Sequence, residues 1–586
     1  MSVEFEDSLS VNNFEWKLKS CDERLVTALQ QKNNISEIIA RILINRNVAI
    51  EEIDDYLNPT LKKYLPNPMD LRDMDKAAYR ISEAIINQQN IVIFGDYDVD
   101  GATSSALFKR YFDLLGSNAS IYIPDRIKEG YGPNPEALLK LKEKGADLII
   151  TVDCGTSSFE AIETACNINL DVIIVDHHLG NENLPKALAI VNPNRLDETS
   201  SSYRNLAAVG VSFLVLVAVN KALREKGYFK NNKEPNLLNL LDLVALGTIC
   251  DVVPLDRINR AFVTQGLKIL ANRTNVGLSC LFDISGLSEP PNTYHLGFIL
   301  GPRINAGGRI GESRLGSDLL STNNPMLASQ LAEKLNHLNS ERKAIETLIL
   351  DEAMLMAEKF SASPIIYIVG QNWHPGIIGI IASRLKDKHN KPTAVISLIN
   401  GIGKASCRSV PKVDFGSAIV NAKLLNLVEN GGGHAMAAGF TIIEEKIGEL
   451  KSYLEARFSE ELAKLTDANL RHFDGYLSAG GVTLELAQNI EKLGPFGSNN
   501  PEPSFLITNA QIVKSNIVAQ SHINCFIKTF NSKSTIKAMA FRAVGTKLEA
   551  PLMNSFNKEI KLIASLKINR WQGAEKAELL IHDIIE

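Results

Sequence analysis

Three aspartates, Asp96, Asp98 and Asp100, stand at alternate positions in the hexapeptide DYDVDG (residues 96–101). They follow directly on Ile91-Val92-Ile93-Phe94 and Gly95. Three carboxylates so close together repel one another unless a cation lies among them, so the chemistry they suit is the holding of a divalent metal ion. The pattern recurs. Leu148-Ile149-Ile150-Thr151-Val152 runs into Asp153, and Val172-Ile173-Ile174-Val175 runs into Asp176-His177-His178. Asp251, after the apolar segment 237–250, is a fourth candidate. A single Asp-Gly after an apolar run reads as a solvated turn. D-x-D-x-D-G also opens an EF-hand calcium loop, but the twelfth position here is Leu107 rather than Glu, and the preceding segment reads as a strand. Recurrence of acid or imidazole at the ends of three separate runs favours the metal site.

Short runs rich in β-branched residues, separated by spacers of helical length, read as parallel strands. Open parallel sheets carry their sites at the carboxyl ends of the strands. Residues 102–115 read as the helix after the first strand, and 207–219 as a core helix. Asp100 either orients the ligands through hydrogen bonds or caps the following helix; the residue pattern leaves both open.

At 586 residues the chain is too long for one core, and two to four domains are expected. Hydrophobic content of 45% and charged content of 22% fit a soluble globular protein. There is no run of eighteen apolar residues to span a membrane, and the beginning, MSVEFEDSLS, is acidic and polar, unlike a secretory signal. Seven scattered cysteines without a C-x-x-C pair suit a reducing cytoplasm. A net charge of −5 argues against coating nucleic acid by bulk charge, while leaving room for a local basic groove.

Along the chain, residues 1–75 read as an N-terminal helical region in which Trp16 is a core residue. Residues 76–325 form the α/β domain with the acidic strand tips. Arg126, after the run Ile121-Tyr122-Ile123, is a phosphate candidate. Gly301-Pro302-Arg303-Ile304-Asn305-Ala306-Gly307-Gly308-Arg309 reads as a glycine-rich loop whose arginines suit a phosphate backbone. Residues 326–363 lack Gly and Pro, and the stripe Leu327, Leu331, Leu335, Leu338, Ile345, Leu348 predicts a long helix joining two domains. Residues 364–460 form a second, smaller α/β unit. There Lys404-Ala405-Ser406-Cys407-Arg408 and Gly431-Gly432-Gly433-His434 combine small residues with cations or imidazole, which allows close approach to a ligand. Residues 468–586 carry turn-rich segments and short alternating strands, the pattern of a small barrel.

The triplet Asp176-His177-His178, with Asp96, Asp98, Asp153 and Asp251 in the right order, resembles the DHH phosphoesterase superfamily. GPRINAGGR (residues 301–309), WHPGIIGIIASRL and PFGSNNPEP resemble its RecJ branch of single-strand-specific exonucleases. The resemblance implies a DHH domain, a long helix, a DHHA1-like nucleic-acid-binding domain and an OB-fold. It implies two ions, Mn²⁺ or Mg²⁺, held by Asp96, Asp98, Asp153, His177 and Asp251, with Asp153 shared between them. Asp98, Asp153, His177 and His178 would be catalytic, His178 facing the scissile phosphate. Arg126, Arg303, Asn305, Arg309, Ser406, Arg408, Gly432, Gly433 and His434 would contact DNA. The implied activity is 5′→3′ hydrolysis of single-stranded DNA to nucleoside 5′-monophosphates in recombination and repair, by a cytoplasmic monomer working with single-stranded DNA-binding protein and a helicase. A small-molecule or oligonucleotide phosphodiesterase of the same superfamily and a non-catalytic replication scaffold are the rivals. The barrel argues against the former and the retained Asp and His positions against the latter.

Overall fold

The structure, a computed structural model, describes residues 9–126, 129–200, 202–464, 469–529, 535–556, 558–571 and 573–585. Most of the acidic N-terminal segment lies outside the described residues. No helix among the described residues is long and apolar enough to cross a membrane.

The chain opens with strand β1 (Glu15–Leu18) and then builds a sheet from β2 (Ile91–Gly95), β3 (Ala119–Tyr122), β4 (Leu148–Val152), β5 (Asp171–Val175) and β6 (Ala189–Val191). All five are parallel, in the order β3-β2-β4-β5-β6. One face packs on Tyr111, Phe112 and Phe213. The other packs on Leu138, Leu141 and Ile162. A sheet covered on both faces needs apolar residues at every position, which is why these strands are continuous runs rather than alternating ones. Strand order reverses between β2 and β4. The crevice beyond the carboxyl ends at such a reversal is where open α/β sheets bind ligands. Asp96 and Asp98 lie past β2 and Asp153 past β4, one on each side of it.

The second sheet comprises β7 (Ile366–Gln371), β8 (Thr393–Ile399), β9 (Ile402–Arg408), β10 (Asn430–His434) and β11 (Ala437–Ile443), ordered β10-β11-β9-β8-β7. Only β7 and β8 are parallel. The helix Pro325–Ala357 joins the two sheets. It ends at Ala357 because a short 3-10 turn, Glu358–Phe360, follows. Its buried face is Ala328, Ala332, Leu335, Asn339, Arg342, Glu346, Ile349, Ala353 and Ala357. The leucine stripe expected from spacing is met in part: Leu335 is buried and Leu331, Leu338 and Ile345 pack against the cores, whereas Leu327 and Leu348 are exposed. Small residues at the two ends allow close packing. The middle turns bury polar side chains, with Arg342 donating to Glu346 at 2.6 Å and to Asn339 at 3.2 Å.

The C-terminal part adds β12 (Leu470–Phe473), β13 (Gly475–Ser478), β14 (Phe505–Val518), β15 (His522–Thr529), β16 (Ile536–Ala540), β17 (Glu559–Trp571) and β18 (Ala574–Ile585). Pairing runs β14-β15-β16-β18-β17 and closes through β17 with β14, giving the five-stranded barrel of an OB-fold. The N-terminal region is not a separate unit. β1 pairs in parallel with β12. Helices Glu23–Asn33 and Glu37–Asn45 bury Val26, Leu29, Ile39 and Leu43 in one core with Leu477, Ile512 and Leu562 of the barrel. Amphipathic helices this short need a partner for their apolar face, and the barrel supplies it. Trp16 is half-buried against the core: it packs on Phe473, Leu506, Ile563 and Ile585, and its Nε1 donates to Asp583 at 2.8 Å.

The glycine-rich segment expected to be a loop is the helix Gly301–Ile310. Its glycines serve close packing. A Cβ at Gly308 would come within 2.5 Å of the Tyr97 carbonyl oxygen, and one at Gly301 within 2.6 Å of Cys250 Sγ.

Candidate active site

Side chains from four elements converge beyond the sheet. Asp96, Asp98 and Asp153 bring ligand atoms within 4.8 Å of one another; so do Asp153, His177 and His178, and Asp100, His177 and Asp251. Asp153 and His177 each belong to two of these groups, so the three form one cluster. His177 Nε2 lies 3.4 Å from Asp153, 3.7 Å from Asp251 and 3.9 Å from Asp100. Its Nδ1 is 3.1 Å from the Leu206 carbonyl, which fixes the proton there and leaves the Nε2 lone pair free for a metal. Asp153 has φ +62, a left-handed backbone that aims its carboxylate back into the cluster. Asp251 caps the C-terminus of helix Leu241–Cys250, so the fourth tip is a helix end rather than a strand end.

Asp176 does not join the metal cluster. It is buried and accepts from the backbone N–H of Thr156 at 3.0 Å and of His177 at 2.8 Å, and lies 2.8 Å from His178 Nδ1. Burial would raise its pKa, but the His178 contact and these donors hold it below the ordinary carboxylate range. Burial would lower His178; Asp176 instead pushes it up to about 9, so His178 is a cation at neutral pH. His177 goes the other way, lowered by burial and by His178 to about 4, and is neutral. Asp98, not Asp100, caps the following helix, accepting from Gly101 N–H at 3.1 Å. Asp100 accepts from the N–H groups of Ala208 at 2.6 Å and Val209 at 2.9 Å, tying the distant helix Ala208–Glu225 to the cluster.

Burial and mutual repulsion push Asp96 and Asp153 well above their ordinary range, Asp100 to about 7 and Asp251 to about 9. Asp96 Oδ1 and Asp251 Oδ2 are buried with no hydrogen-bond partner. Repelling carboxylates with orphaned oxygens and a neutral imidazole, without a thiolate, fit hard divalent ions. A pH prediction follows. A carboxyl whose folded pKa is raised binds more protons folded than unfolded, so stability falls as pH rises through that pKa; a His raised to about 9 adds in the same direction. In EDTA the melting temperature should therefore fall from about pH 7 to about pH 9, and added Mn²⁺ should raise it more at the upper end of that window than at the lower. A melting temperature in EDTA that is flat across this window contradicts the charge assignment.

Across the cluster's open side lies a groove of about 750 Å³ between the two α/β domains. Arg126, Tyr131 and Arg309 line one wall, and Ser406, Arg408 and Gly431 with Gly432 the other. Arg309 donates to the Gly376 carbonyl at 2.9 Å, bridging the domains. Burial and its neighbours Arg126, Arg342 and Arg408 lower it to about 10, a crowding of cations that suits an anion. Arg408 donates to Ser406 Oγ at 3.2 Å and to the Cys407 carbonyl at 2.8 Å. The Arg126 guanidinium stacks 4.8 Å above Tyr97. A Cβ at Gly432 would meet nothing within 4 Å, whereas one at Gly433, where φ is +148, would strike the Ala437 carbonyl at 2.4 Å.

Four expected DNA contacts are not brought to this groove. Arg303 is turned toward the long helix, donating from Nε to Asn336 at 3.0 Å and from Nη1 to the Ile299 carbonyl at 2.7 Å, and does not line the groove. Asn305 shares that helix and does not line the groove. Gly433 and His434 sit at the exposed end of β10, where Gly433 shapes the hairpin. Tyr131 is a site residue that the sequence reading does not single out. Its hydroxyl donates to the Asp153 carbonyl at 3.0 Å, and its ring meets His178 edge-on at 6.0 Å between centroids. The Gly130-Tyr131-Gly132 string was the available signal. The Leu206 carbonyl, a backbone group, had none.

A doubly wound parallel sheet with acid and imidazole at its tips, facing a second α/β domain across a basic groove, defines the DHH class of phosphoesterases. Residues 90–248 match the DHH family, N-terminal domain, residues 362–460 the DHHA1 domain, and residues 473–583 the RecJ OB domain. The single-stranded-DNA-specific exonuclease RecJ of Dickeya dadantii is 33% identical over 570 residues, covering 94% of this chain and 96% of that one. That of Escherichia coli is 35% identical over 564 residues, covering 93% and 95%. The crystal structure of RecJ in complex with Mn²⁺ from Thermus thermophilus matches with a TM-score of 0.80 at 26% identity, over 97% of this chain and 79% of that one. The chain belongs to the RecJ family.

Proposed function

We propose that this protein is a single-stranded-DNA-specific 5′→3′ exonuclease, hydrolysing phosphodiester bonds to nucleoside 5′-monophosphates with two Mn²⁺ or Mg²⁺ ions, in recombination and repair in the cytoplasm. The observation that carries the reading is the continuity of cluster and groove: Tyr131 touches Asp153 and His178 and also lines the groove with Arg126, Arg309 and Arg408. Asp96, Asp98, Asp153, His177 and Asp251 would hold the ions, which when bound supply an activated water and neutralise charge on the phosphate oxygens. The His178 cation stands beside the cluster, placed to stabilise the scissile phosphate. Arg126, Arg309, Ser406 and Arg408 position the strand by its phosphates. On this reading residues 76–325 supply the metal centre and residues 364–460 the facing wall. Residues 468–586, together with the N-terminal helices, hold the strand upstream. Single-stranded DNA-binding protein and a helicase are the partners that family membership supports.

The glycine of the facing wall offers a test. Gly432→Val should leave the melting temperature near that of the wild type, since a side chain there meets open space. It should weaken single-strand binding by about tenfold or more, roughly 1.4 kcal/mol, because that space is the groove. Unchanged binding would remove Gly432 from the site. To separate the activity from that of a small-molecule phosphodiesterase, the same preparation is given a cyclic dinucleotide and a long single strand with Mn²⁺. The reading predicts that the strand is degraded far faster; preference for the dinucleotide would contradict it.

A further inference from the structure

Two large aromatic rings stand exposed side by side between the metal cluster and the barrel. Phe298 is 72% exposed and Tyr294 59%. Their centroids lie 5.2 Å apart and their planes 24° from parallel, so they form one stacked pair. They belong to the π-helical turn His295–Leu300 and the residue that opens it, and His295, Leu296 and Leu300 anchor that turn in the core. Such turns are frequent at functional sites. A lone exposed ring is ordinary on a protein surface, whereas a contiguous apolar patch marks a place where something binds.

The pair is tied to the metal cluster on one side. Gly297, between the two in sequence, packs on Ile249: a Cβ there would come within 3.3 Å of the Ile249 side chain. Cys250 Sγ donates to the Leu296 carbonyl at 3.5 Å, and Asp251 is the next residue. On the other side Tyr294 lines a cleft of about 430 Å³ against the barrel, with Phe496, Leu566 and Ile568. Three cations and three acids line the same cleft, and Lys567 with Glu502 and Arg570 with Glu491 are paired. A cleft balanced in this way does not gather phosphates by charge, as the groove does. Its ring and aliphatic surface suits bases.

We propose that Tyr294 and Phe298 are a base-stacking platform for the single strand as it passes from the barrel to the metal cluster. The proposal rests on the exonuclease reading and adds two positioning residues to it. Every base has a π-face, so stacking on aromatic side chains tolerates any sequence. In a duplex those faces are covered by neighbouring base pairs, so the platform favours unpaired DNA.

The test uses the full chain in EDTA. Phe298→Ala and Tyr294→Ala should melt with the wild type, since both side chains are exposed. Each should weaken binding of a long single strand by roughly tenfold, the scale of one lost base–aromatic stack. The salt slope should not change, because no phosphate contact is removed. A strand whose 5′-proximal nucleotides are abasic should bind the wild type and the alanine variants alike. Phe298→Trp should keep the affinity, and its added fluorescence should be quenched by the ordinary strand but not by the abasic one. A wild-type protein that does not bind the ordinary strand would overturn the exonuclease reading and the platform together. Wild-type degradation of that strand with Mn²⁺, beside alanine variants that bind it as tightly as the wild type does, would overturn the platform alone.

Discussion

Asp98→Asn and Asp153→Asn are each expected to lower kcat on single-stranded DNA by on the order of a thousandfold or more, with the fold intact. The metal site's charge stabilisation amounts to several kcal/mol, and each 1.4 kcal/mol is about tenfold in rate. Asparagine is the informative replacement at both positions. Asp98 caps the helix Val99–Leu115, and Asn keeps the acceptor while Ala discards it. Asp153 sits at φ +62, which Asn tolerates and Ala does not. Asp153 is one of several buried acids whose repulsion raises their pKa values. Its neutralisation should therefore raise the melting temperature in EDTA even as activity is lost. Single-turnover cleavage and thermal unfolding, measured on the same preparations, check both halves. Full activity in both variants would remove these residues from the metal site.

Arg408→Ala should weaken single-strand binding across all sequences and reduce the log–log salt slope by about 0.7, the share of one phosphate contact on a single strand. Arg303→Ala should leave the slope unchanged, because its guanidinium is turned to Asn336 and the Ile299 carbonyl and does not line the groove. Binding is measured in EDTA, so that cleavage does not interfere, over a range of salt concentrations. Equal slopes for the two variants would mean that the groove does not carry the strand. Arg309→Ala is a poorer probe, since it also breaks the bridge to Gly376.

The acid–imidazole cluster was largely legible in the sequence. A covered parallel sheet forces unbroken apolar runs, and the acids after them stand out by type and spacing. What was not legible depended on contacts between distant segments. Asp100 looked local but caps the helix Ala208–Glu225 more than a hundred residues away. The segment around Arg303 is rich in glycine and suggested a loop. It is a helix, because its neighbours, not its turn geometry, demand the missing side chains. The long helix's leucine spacing found only part of its buried face, Leu335 and its partly buried neighbours Leu331 and Leu338, since that helix also buries alanines at its ends and an Asn339–Arg342–Glu346 network in its middle. The N-terminal helices gave no sign of their partner. Parallel pairing of β1 with β12 joins segments more than four hundred residues apart. Cutting the chain at residue 468 would thus strip the cover from Val26, Leu29 and Ile39, and a truncation meant to isolate the α/β domains must also remove residues 9–57.

The central claim is that the acid–imidazole cluster and the basic groove act together on the 5′ end of a single strand. It is tested most directly by a time course with one long oligonucleotide, labelled at the 5′ end in one sample and at the 3′ end in another, single-stranded or in a blunt duplex, with Mn²⁺ or EDTA. The account predicts that with Mn²⁺ the 5′ label leaves the single strand at once as a mononucleotide, while the 3′ label passes through progressively shorter fragments. Blunt duplex should resist, and EDTA should stop all release. Immediate release of the 3′ label as a mononucleotide, or equal digestion of the duplex, would contradict it.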